Sequence, residues 1–398
     1  MPSLRNSFLN SINTSSIGDF IISVKKIIGH GIATPSDLRF IADRTLQCVN
    51  KLNLSQTTSL LHSFSIVIYR NFQVFTCLTG RIRSLLDSEP PSIYDTIKII
   101  NSCGRLHYSD SELFKTLLNF VKTNLDNIKA KDVVSILHSL TKLRYNDHEL
   151  LSELSLVPLN DLTQISEGSL ANFSISTSKI YTVENTEKYE LLNEGEKILS
   201  HLLPEIKSRA SISSSLDNLR HILALSNMKH LLNNQEELNE CISQLIKFIN
   251  PSVLFYEHLV ILLECFSRVN YTNLHLIENI LSNLLNKRTE ANSTPELDLR
   301  ILSYLKSITL STKTHEFLMK QILDNLSKIT KIHPRLTNQT FSLINSINVN
   351  PDPFLKNLET FLEKKIPRFD QDTISKIKES IQRSNTNWTQ LESIIEST

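Results

Sequence analysis

Basic side chains recur at a nearly constant interval along the chain, and amide or imidazole side chains recur beside them. What we call the basic row consists of Arg105, Lys142, Lys179 and Arg268. What we call the polar row consists of His62, Asn101 and His138. Cations contact phosphates, whereas amides and imidazoles can hydrogen-bond to base edges. Two such rows on one face would suit a surface that binds single-stranded RNA.

Helical hairpins would have to position these two rows. Residues 132–151 read DVVSILHSLTKLRYNDHELL, where apolar residues keep helical spacing as far as Leu143 and the letters YND then break the pattern before a second helix. We take Leu143, the last apolar residue of this first helix, as the reference position of its repeat. The equivalent residues along the chain are Ile28, Val67, Leu106, Leu143, Ile180, Met228, Val269, Ile308 and Ile347. Repeats of this length are typical of solenoids, in which each hairpin buries its apolar face against its neighbours. The sequence therefore predicts an all-α fold, an α-solenoid of about nine helical hairpins of 37–41 residues with a helical C-terminal cap.

The length of 398 residues is then explained by the number of repeats and does not indicate several separate domains. We predict a leader at 1–16, a repeat array at 17–366 and a helical cap at 367–398. An acidic segment at 183–196 lengthens one step between reference positions to 48 residues, which indicates an insertion. The leader is rich in serine and has no acidic residue before Asp19. It is therefore either a mitochondrial presequence or a polar, disordered leader.

Small residues are expected where neighbouring helices cross closely, since large ones would hold the helices apart. The residues four positions before the reference are mostly small, namely Val24, Ser63, Ser102, Ser139, Ser176, Ala224, Cys265, Tyr304 and Leu343. Gly104 lies in the same region of its helix. We therefore expect a stack of closely packed hairpins.

The two rows share one side of the first helix of each hairpin, because they lie five residues and one residue before the reference position. A simpler interpretation is that both are the solvated face of an amphipathic helix. The basic position holds a cation in four of nine repeats, and the formal net charge of the chain is only +1. Recurrence at one repeat position is the observation that favours an RNA-binding surface.

Four tyrosines also share one repeat position, two residues after the reference. They are Tyr69, Tyr108, Tyr145 and Tyr271. One interpretation is that their rings stack on RNA bases. The other, which we favour, is that each ring packs against the following helix while its hydroxyl caps the turn between the helices.

Other kinds of chemistry are not indicated by the sequence. The histidines form no HExxH motif, and glycine-rich phosphate loops and nucleophile motifs are absent from the chain. We therefore expect no enzymatic activity, no metal and no small-molecule cofactor. The apolar runs are far shorter than the roughly 20 residues needed to span a bilayer. The five cysteines form no CxxC motif and lie in apolar helical stretches, which predicts buried thiols in a reducing compartment.

The segments SILHSLTKLRYNDHELL and KIINSCGRLHYSDSELF resemble the helical repeats of organellar RNA-binding proteins of the heptatricopeptide type. This group is related to FAST kinase-like and pentatricopeptide proteins, and several members in apicomplexan protists end in a RAP domain. The resemblance covers roughly residues 17–366. Residues 350–398 read as helices instead of the alternating strands of a RAP domain, so no catalytic residue is carried over.

The resemblance implies a mitochondrial matrix protein that acts in RNA processing, RNA stability or ribosome assembly. Its partners would be single-stranded or ribosomal RNA, with protein partners in an organellar complex. The residues that match where such repeats present groups to RNA are His62, Asn101, Arg105, His138, Lys142, Lys179 and Arg268. The alternative function is a protein-binding scaffold or structural subunit of an organellar complex, which a near-neutral net charge would suit.

Overall fold

The computed structural model describes residues 16–232, 235–271 and 273–288, with the single positions 294, 297, 298, 300, 301, 304 and 375. Fifteen α-helices and no strand lie within these residues. The first helices of the hairpins are α1 (Ile17–Gly29), α3 (Leu54–Ile66), α5 (Ile93–Leu106), α7 (Ala130–Lys142), α9 (Glu167–Ile180), α12 (Ser215–Asn227) and α14 (Tyr256–Arg268). The others are α2 (Pro35–Cys48), α4 (Phe72–Leu86), α6 (Ser111–Thr123), α8 (His148–Leu156), α10 (Val183–Lys188), α11 (Leu192–Arg209), α13 (Gln235–Lys247) and α15 (Leu274–Lys287). The prediction of an all-α helical-repeat solenoid is confirmed.

One compact unit comprises residues 1–213 and 230–241. In its described part, the first helices α1, α3, α5, α7 and α9 pack side by side in chain order. The second helices α2, α4 and α6 pack in the same order in a second layer, and α8 packs against α11. Each hairpin thus buries its apolar face against the next hairpin, as expected for a solenoid.

The second compact unit comprises residues 214–229 and 242–398. Within its described part, α12 packs against α14, and α14 packs against α15. The Lys287 ammonium donates to the carbonyl of Leu254 at 2.5 Å, which ties the end of α15 to the segment before α14. The reference positions Ile308 and Ile347, the leader before Ser16 and all of the cap at 367–398 except Ser375 lie outside the described residues.

Local hydrogen bonds stabilise the starts and the ends of the helices. Short polar side chains cap the helix starts, as where Ser92 accepts from the backbone N–H of Asp95 at 3.0 Å. Several first helices end in a residue with left-handed backbone, followed by the tyrosine of the series. The left-handed residues are Ile68, His107, Arg144 and Asn270. The backbone N–H of the following tyrosine bonds back to a carbonyl five residues earlier at 2.9–3.1 Å, which is the Schellman ending of a helix.

The expected small residues lie where the first helices cross. Of the eight that the structure describes at this position, the seven from Val24 to Cys265 are buried and Tyr304 is half-buried. A close crossing joins α5 and α7, where a Cβ on Gly104 would lie 2.6 Å from the Cβ of Ser139. Only glycine fits at this crossing without a shift of one helix, and the predicted close packing is confirmed.

The register of the first hairpin differs from the sequence prediction by one residue. Ile22 lies six residues before the reference Ile28, a position that is buried in the next three repeats, but it is 51% exposed, whereas Phe20, Ile21 and Ile27 are buried. The buried pattern of α1 matches that of α5 when Ile27, rather than Ile28, is the reference. The adjacent isoleucines at both ends of α1 allow either register in the sequence, and only burial against α3 selects one.

The insertion around 183–196 forms a helix of its own. The short helix α10 follows α9 directly, and the longer α11 then takes the place of the second helix in the fifth hairpin. Gly195 lies near the start of α11, where an added Cβ would meet Leu231 and Tyr181 at 3.0–3.1 Å. The insertion therefore packs closely within its unit.

Candidate nucleic-acid interface

Parallel alignment of the first helices in the first unit brings equivalent residues of successive repeats together. Ser65 Oγ donates to Ser102 Oγ at 3.4 Å, and Thr141 Oγ1 donates to Ser176 Oγ at 3.4 Å. Both bonds join the position two before the reference to the position four before the next reference. Gly104 and Ser139 meet at the same two positions. The C-terminal ends of these helices therefore lie along one edge of the layer.

Charge is segregated along these first helices. The acidic residues of α1, α5, α7 and α9 all lie in the first turn of their helix. They are Asp19, Asp95, Asp132 and Glu167. The last turns carry Lys26, Arg105, Lys142 and Lys179. Cations at helix C-termini also interact favourably with the helix dipole, which stabilises this arrangement. The result is an edge of the first-helix layer where positive charge accumulates.

Neighbouring cations perturb one another along this edge. The pKa of the Lys179 ammonium is lowered, first by its partial burial and then by the charges of Lys142 and Arg144. The contributions of Lys142 and Arg144 mean that their charges lie close enough to repel that of Lys179. An anion bound between them would relieve the repulsion, which is the electrostatic property of a phosphate-binding surface.

His62, on α3, lies three hairpins before Lys179 and is also surrounded by cations. The pKa of its imidazole is lowered, first by burial and then by the charges of Lys98, Arg105 and Lys25. Its Nδ1 is buried and has no hydrogen-bond partner within the described residues. His62 therefore favours the neutral form and lies among cations that belong to the helices on either side of it.

Two residues of the polar row contact the next first helix, unlike the residues of the basic row in this unit. Asn101 is half-buried against α7, where its Oδ1 lies 2.9 Å from the hydroxyl of Ser139. His138 is half-buried against α9, with its Nδ1 3.2 Å from the hydroxyl of Ser176. Both residues thus join consecutive first helices, whereas Arg105, Lys142 and Lys179 are exposed.

Arg268 lies in the second unit and has partners of its own. Its guanidinium donates to the side chains of Asn227 and Glu264, and Arg300 also donates to Glu264. Asn227 and Arg268 occupy the same repeat position on α12 and α14, so this pair shows the side-by-side alignment within the second unit. The charge of Arg268 is balanced there by Glu264.

The tyrosine series packs into the protein. Tyr108 contacts Phe75 with ring centroids 6.0 Å apart, and its hydroxyl lies 3.4 Å from that of Thr79, both on α4. Tyr145 contacts Phe114 on α6 in the same manner, with centroids 6.3 Å apart. The rings of Tyr108 and Tyr145 therefore pack against the second helix of the preceding hairpin, not the following helix as predicted. Tyr69 and Tyr271 instead contact Phe64 and Phe266, on the first helix that each one follows. The hydroxyl of Tyr108 binds a helix side chain and does not cap a turn.

Sequence reasoning missed two cations at this edge and a third farther along α5. Lys26 takes the basic position once the register of α1 is corrected. Arg144 is exposed in the left-handed turn after α7. Lys98 lies two turns before Arg105 on α5, with its ammonium 4.1 Å from the ring centroid of Tyr94.

The described residues also bear on a metal site, a membrane-spanning helix and reactive cysteines. No group of three or more His, Cys, Asp or Glu side chains in this part of the chain could hold a metal ion. None of the helices described there is long and apolar enough to cross a bilayer. All five cysteines are free, four are buried, and burial raises the pKa of the Cys103 thiol to about 12. These thiols pack as small apolar groups, as predicted.

Comparison with protein families finds one match that covers the first-unit edge. Residues 12–186 match the family described as RNA-editing substrate-binding complex 6 protein. No curated protein matches the chain. The matched range is less than half of the chain and contains the polar row together with Arg105, Lys142 and Lys179. The chain is thus an all-helical repeat protein with similarity to a family of RNA-associated complex components.

Proposed function

We propose that this protein is a non-enzymatic RNA-binding subunit of an organellar RNA-processing complex. The observation that carries the proposal is the edge formed by Arg105, Lys142 and Lys179 on three successive parallel helices. Neutralisation of phosphates by such a row supplies sequence-independent binding energy to single-stranded RNA. The similarity of residues 12–186 to an RNA-editing substrate-binding complex protein supports the same class of role.

The cellular compartment and the finer family are part of the same proposal. A mitochondrial matrix location is favoured by the serine-rich leader that lacks acidic residues. The heptatricopeptide type is favoured by the repeat segments around Leu106 and Leu143. RNA editing, transcript maturation and ribosome assembly are processes in which such a subunit would hold RNA without altering it.

A second candidate function is that of a protein scaffold, and exposed apolar side chains at one turn favour it. Ile68 is 58% exposed in the turn between α3 and α4, and Phe72 is 76% exposed at the start of α4. Exposed apolar groups that lie close together often mark protein contacts. A subunit of a complex would use such a surface beside its RNA-binding edge. Recovery of partners after ribonuclease treatment separates the two roles, because scaffold partners would stay bound.

The direct experiment replaces the three basic-row residues of the first unit. We expect the variant R105E/K142E/K179E to bind a single-stranded RNA of 20–30 nucleotides at least tenfold more weakly than the unaltered chain. Each lost phosphate contact weakens binding, and each introduced carboxylate repels the RNA. Fluorescence anisotropy at constant salt measures the dissociation constant.

A matched control places the same charge change on the second helices. The variant R39E/K115E/K197E alters three exposed cations on α2, α6 and α11. It changes the net charge by the same amount, so a general loss of attraction would affect both variants alike. We expect the control to retain affinity within about threefold. Equal losses in the two variants would contradict the assignment of the edge.

A further inference from the structure

The contacts of the polar row bear on how the first unit recognises RNA, an inference that rests on the proposed function. A protein reads RNA sequence through hydrogen bonds to base edges, and it holds RNA of any sequence through phosphate contacts. The groups available on the first-helix layer therefore decide between the two modes.

Two residues of the polar row, Asn101 and His138, are engaged in bonds between neighbouring first helices. Ser139 Oγ lies within hydrogen-bond distance of Asn101 Oδ1, at 2.9 Å, and of the Ser135 carbonyl, at 3.0 Å. The Ser176 hydroxyl donates to the carbonyl of Asn172 at 2.7 Å and lies 3.2 Å from the Nδ1 of His138. The polar-row residue of one repeat thus binds the buried serine of the next repeat in both cases. These bonds fix the spacing of the hairpins.

The tyrosines that follow α5, α7 and α9 are also packed against the protein. Single-stranded nucleic acid commonly stacks its bases on exposed aromatic rings. Tyr108 and Tyr145, which follow α5 and α7, are half-buried against phenylalanine rings of the second-helix layer. Tyr181, which follows α9, is fully buried, with its hydroxyl 2.9 Å from that of Ser152.

The cations, by contrast, remain on the surface. Arg105, Lys142, Arg144 and Lys179 are all exposed at the C-terminal ends of α5, α7 and α9. Helices in contact lie about 8–10 Å apart, so cations recur along the edge at about that interval. An extended phosphate backbone could follow such a row from one repeat to the next.

We infer that the first unit recognises the RNA backbone and not the RNA sequence. Its substrate class is any unpaired RNA strand, held by phosphate contacts along α5, α7 and α9. Discrimination between transcripts must then come from another component of the assembly or from base pairing between RNA strands.

The test compares RNAs of one length that differ only in their bases. Dissociation constants of the full chain are measured for oligouridylate, oligoadenylate, a mixed sequence and an abasic strand of the same length at 0.15 M salt. We expect the four constants to agree within about threefold. A preference of tenfold or more for one base composition, or a tenfold loss with the abasic strand, would overturn the inference and leave the proposed function standing. Failure of all four strands to bind would overturn both.

A second measurement does not depend on base composition. The logarithm of the binding constant should fall linearly with the logarithm of salt concentration, with a slope of about −0.7 for each phosphate contact on a single strand. We expect the variant R105Q/K142Q/K179Q to have a slope less negative by about 2. An unchanged slope in a folded variant would contradict phosphate recognition along this edge.

Discussion

Ile68 adopts a backbone conformation that suits glycine. Its φ is +51°, in the left-handed region, and its side chain is 58% exposed at the turn that ends α3. The left-handed conformation is costly for a β-branched residue, by roughly 1–2 kcal/mol. The equivalent turns after α5 and α7 hold His107 and Arg144 in the same conformation. The Schellman ending therefore holds these residues in the left-handed conformation, although that conformation is unfavourable for side chains other than glycine.

We expect the substitution Ile68→Gly to raise the free energy of unfolding by about 1 kcal/mol, because glycine relieves the left-handed strain. Chemical denaturation of both proteins measures the difference. The control is Ile66→Gly, which removes a similarly exposed isoleucine from the right-handed last residue of α3. There glycine should lower the free energy of unfolding by about 0.5 kcal/mol. A destabilised Ile68→Gly variant would show that the side chain contributes more than the backbone costs.

The charge around His62 predicts a dependence of stability on pH. Burial and the cations Lys98, Arg105 and Lys25 lower the pKa of His62 in the folded protein. The unfolded chain therefore binds more protons as the pH falls below about 6.5, and stability is lost on acidification. The variant His62→Gln should lose less stability between pH 8 and pH 5 than the unaltered chain. Equal losses, measured by urea denaturation at the two pH values, would contradict the assignment.

At the scale of the helices, the spacing of reference positions was enough to predict the hairpins from α3 to α9. The register of α1 could not be predicted, since adjacent isoleucines at both ends support two alignments. The sequence also could not predict that Asn101 and His138 bond to the next helix, because their partners Ser139 and Ser176 lie 38 residues further along the chain. A polar residue on a helix face looks the same in the sequence whether it meets solvent or the next helix.

The crossing of α5 and α7 allows a test of how closely the helices pack. We expect Gly104→Ala to lower the free energy of unfolding by about 1–3 kcal/mol, because the new methyl group would overlap Ser139. Gly80→Ala is the control, since a Cβ at Gly80 would meet no atom within 4 Å beyond its chain neighbours and the backbone of its own helix α4. Removal of a helix glycine there should raise stability by up to about 1 kcal/mol. Similar effects of the two substitutions on the denaturation midpoint would contradict the close crossing.

At the scale of the whole molecule, a formal net charge of +1 conceals a local asymmetry. The last turns of α5, α7 and α9 carry cations, whereas the acidic residues of these helices lie at the opposite ends. Composition alone argued against a strong attraction for nucleic acid. The repeat brings like charges to one edge of the first unit, and this arrangement supports RNA binding without a large net charge.

The most direct test of RNA binding at this edge is photo-crosslinking of a single-stranded RNA to the full chain, followed by identification of the linked residues by mass spectrometry. We predict crosslinks in the C-terminal turns of α5, α7 and α9 and in the turns that follow them. Crosslinks confined to the second helices α2, α4, α6 and α11 would contradict the proposed edge.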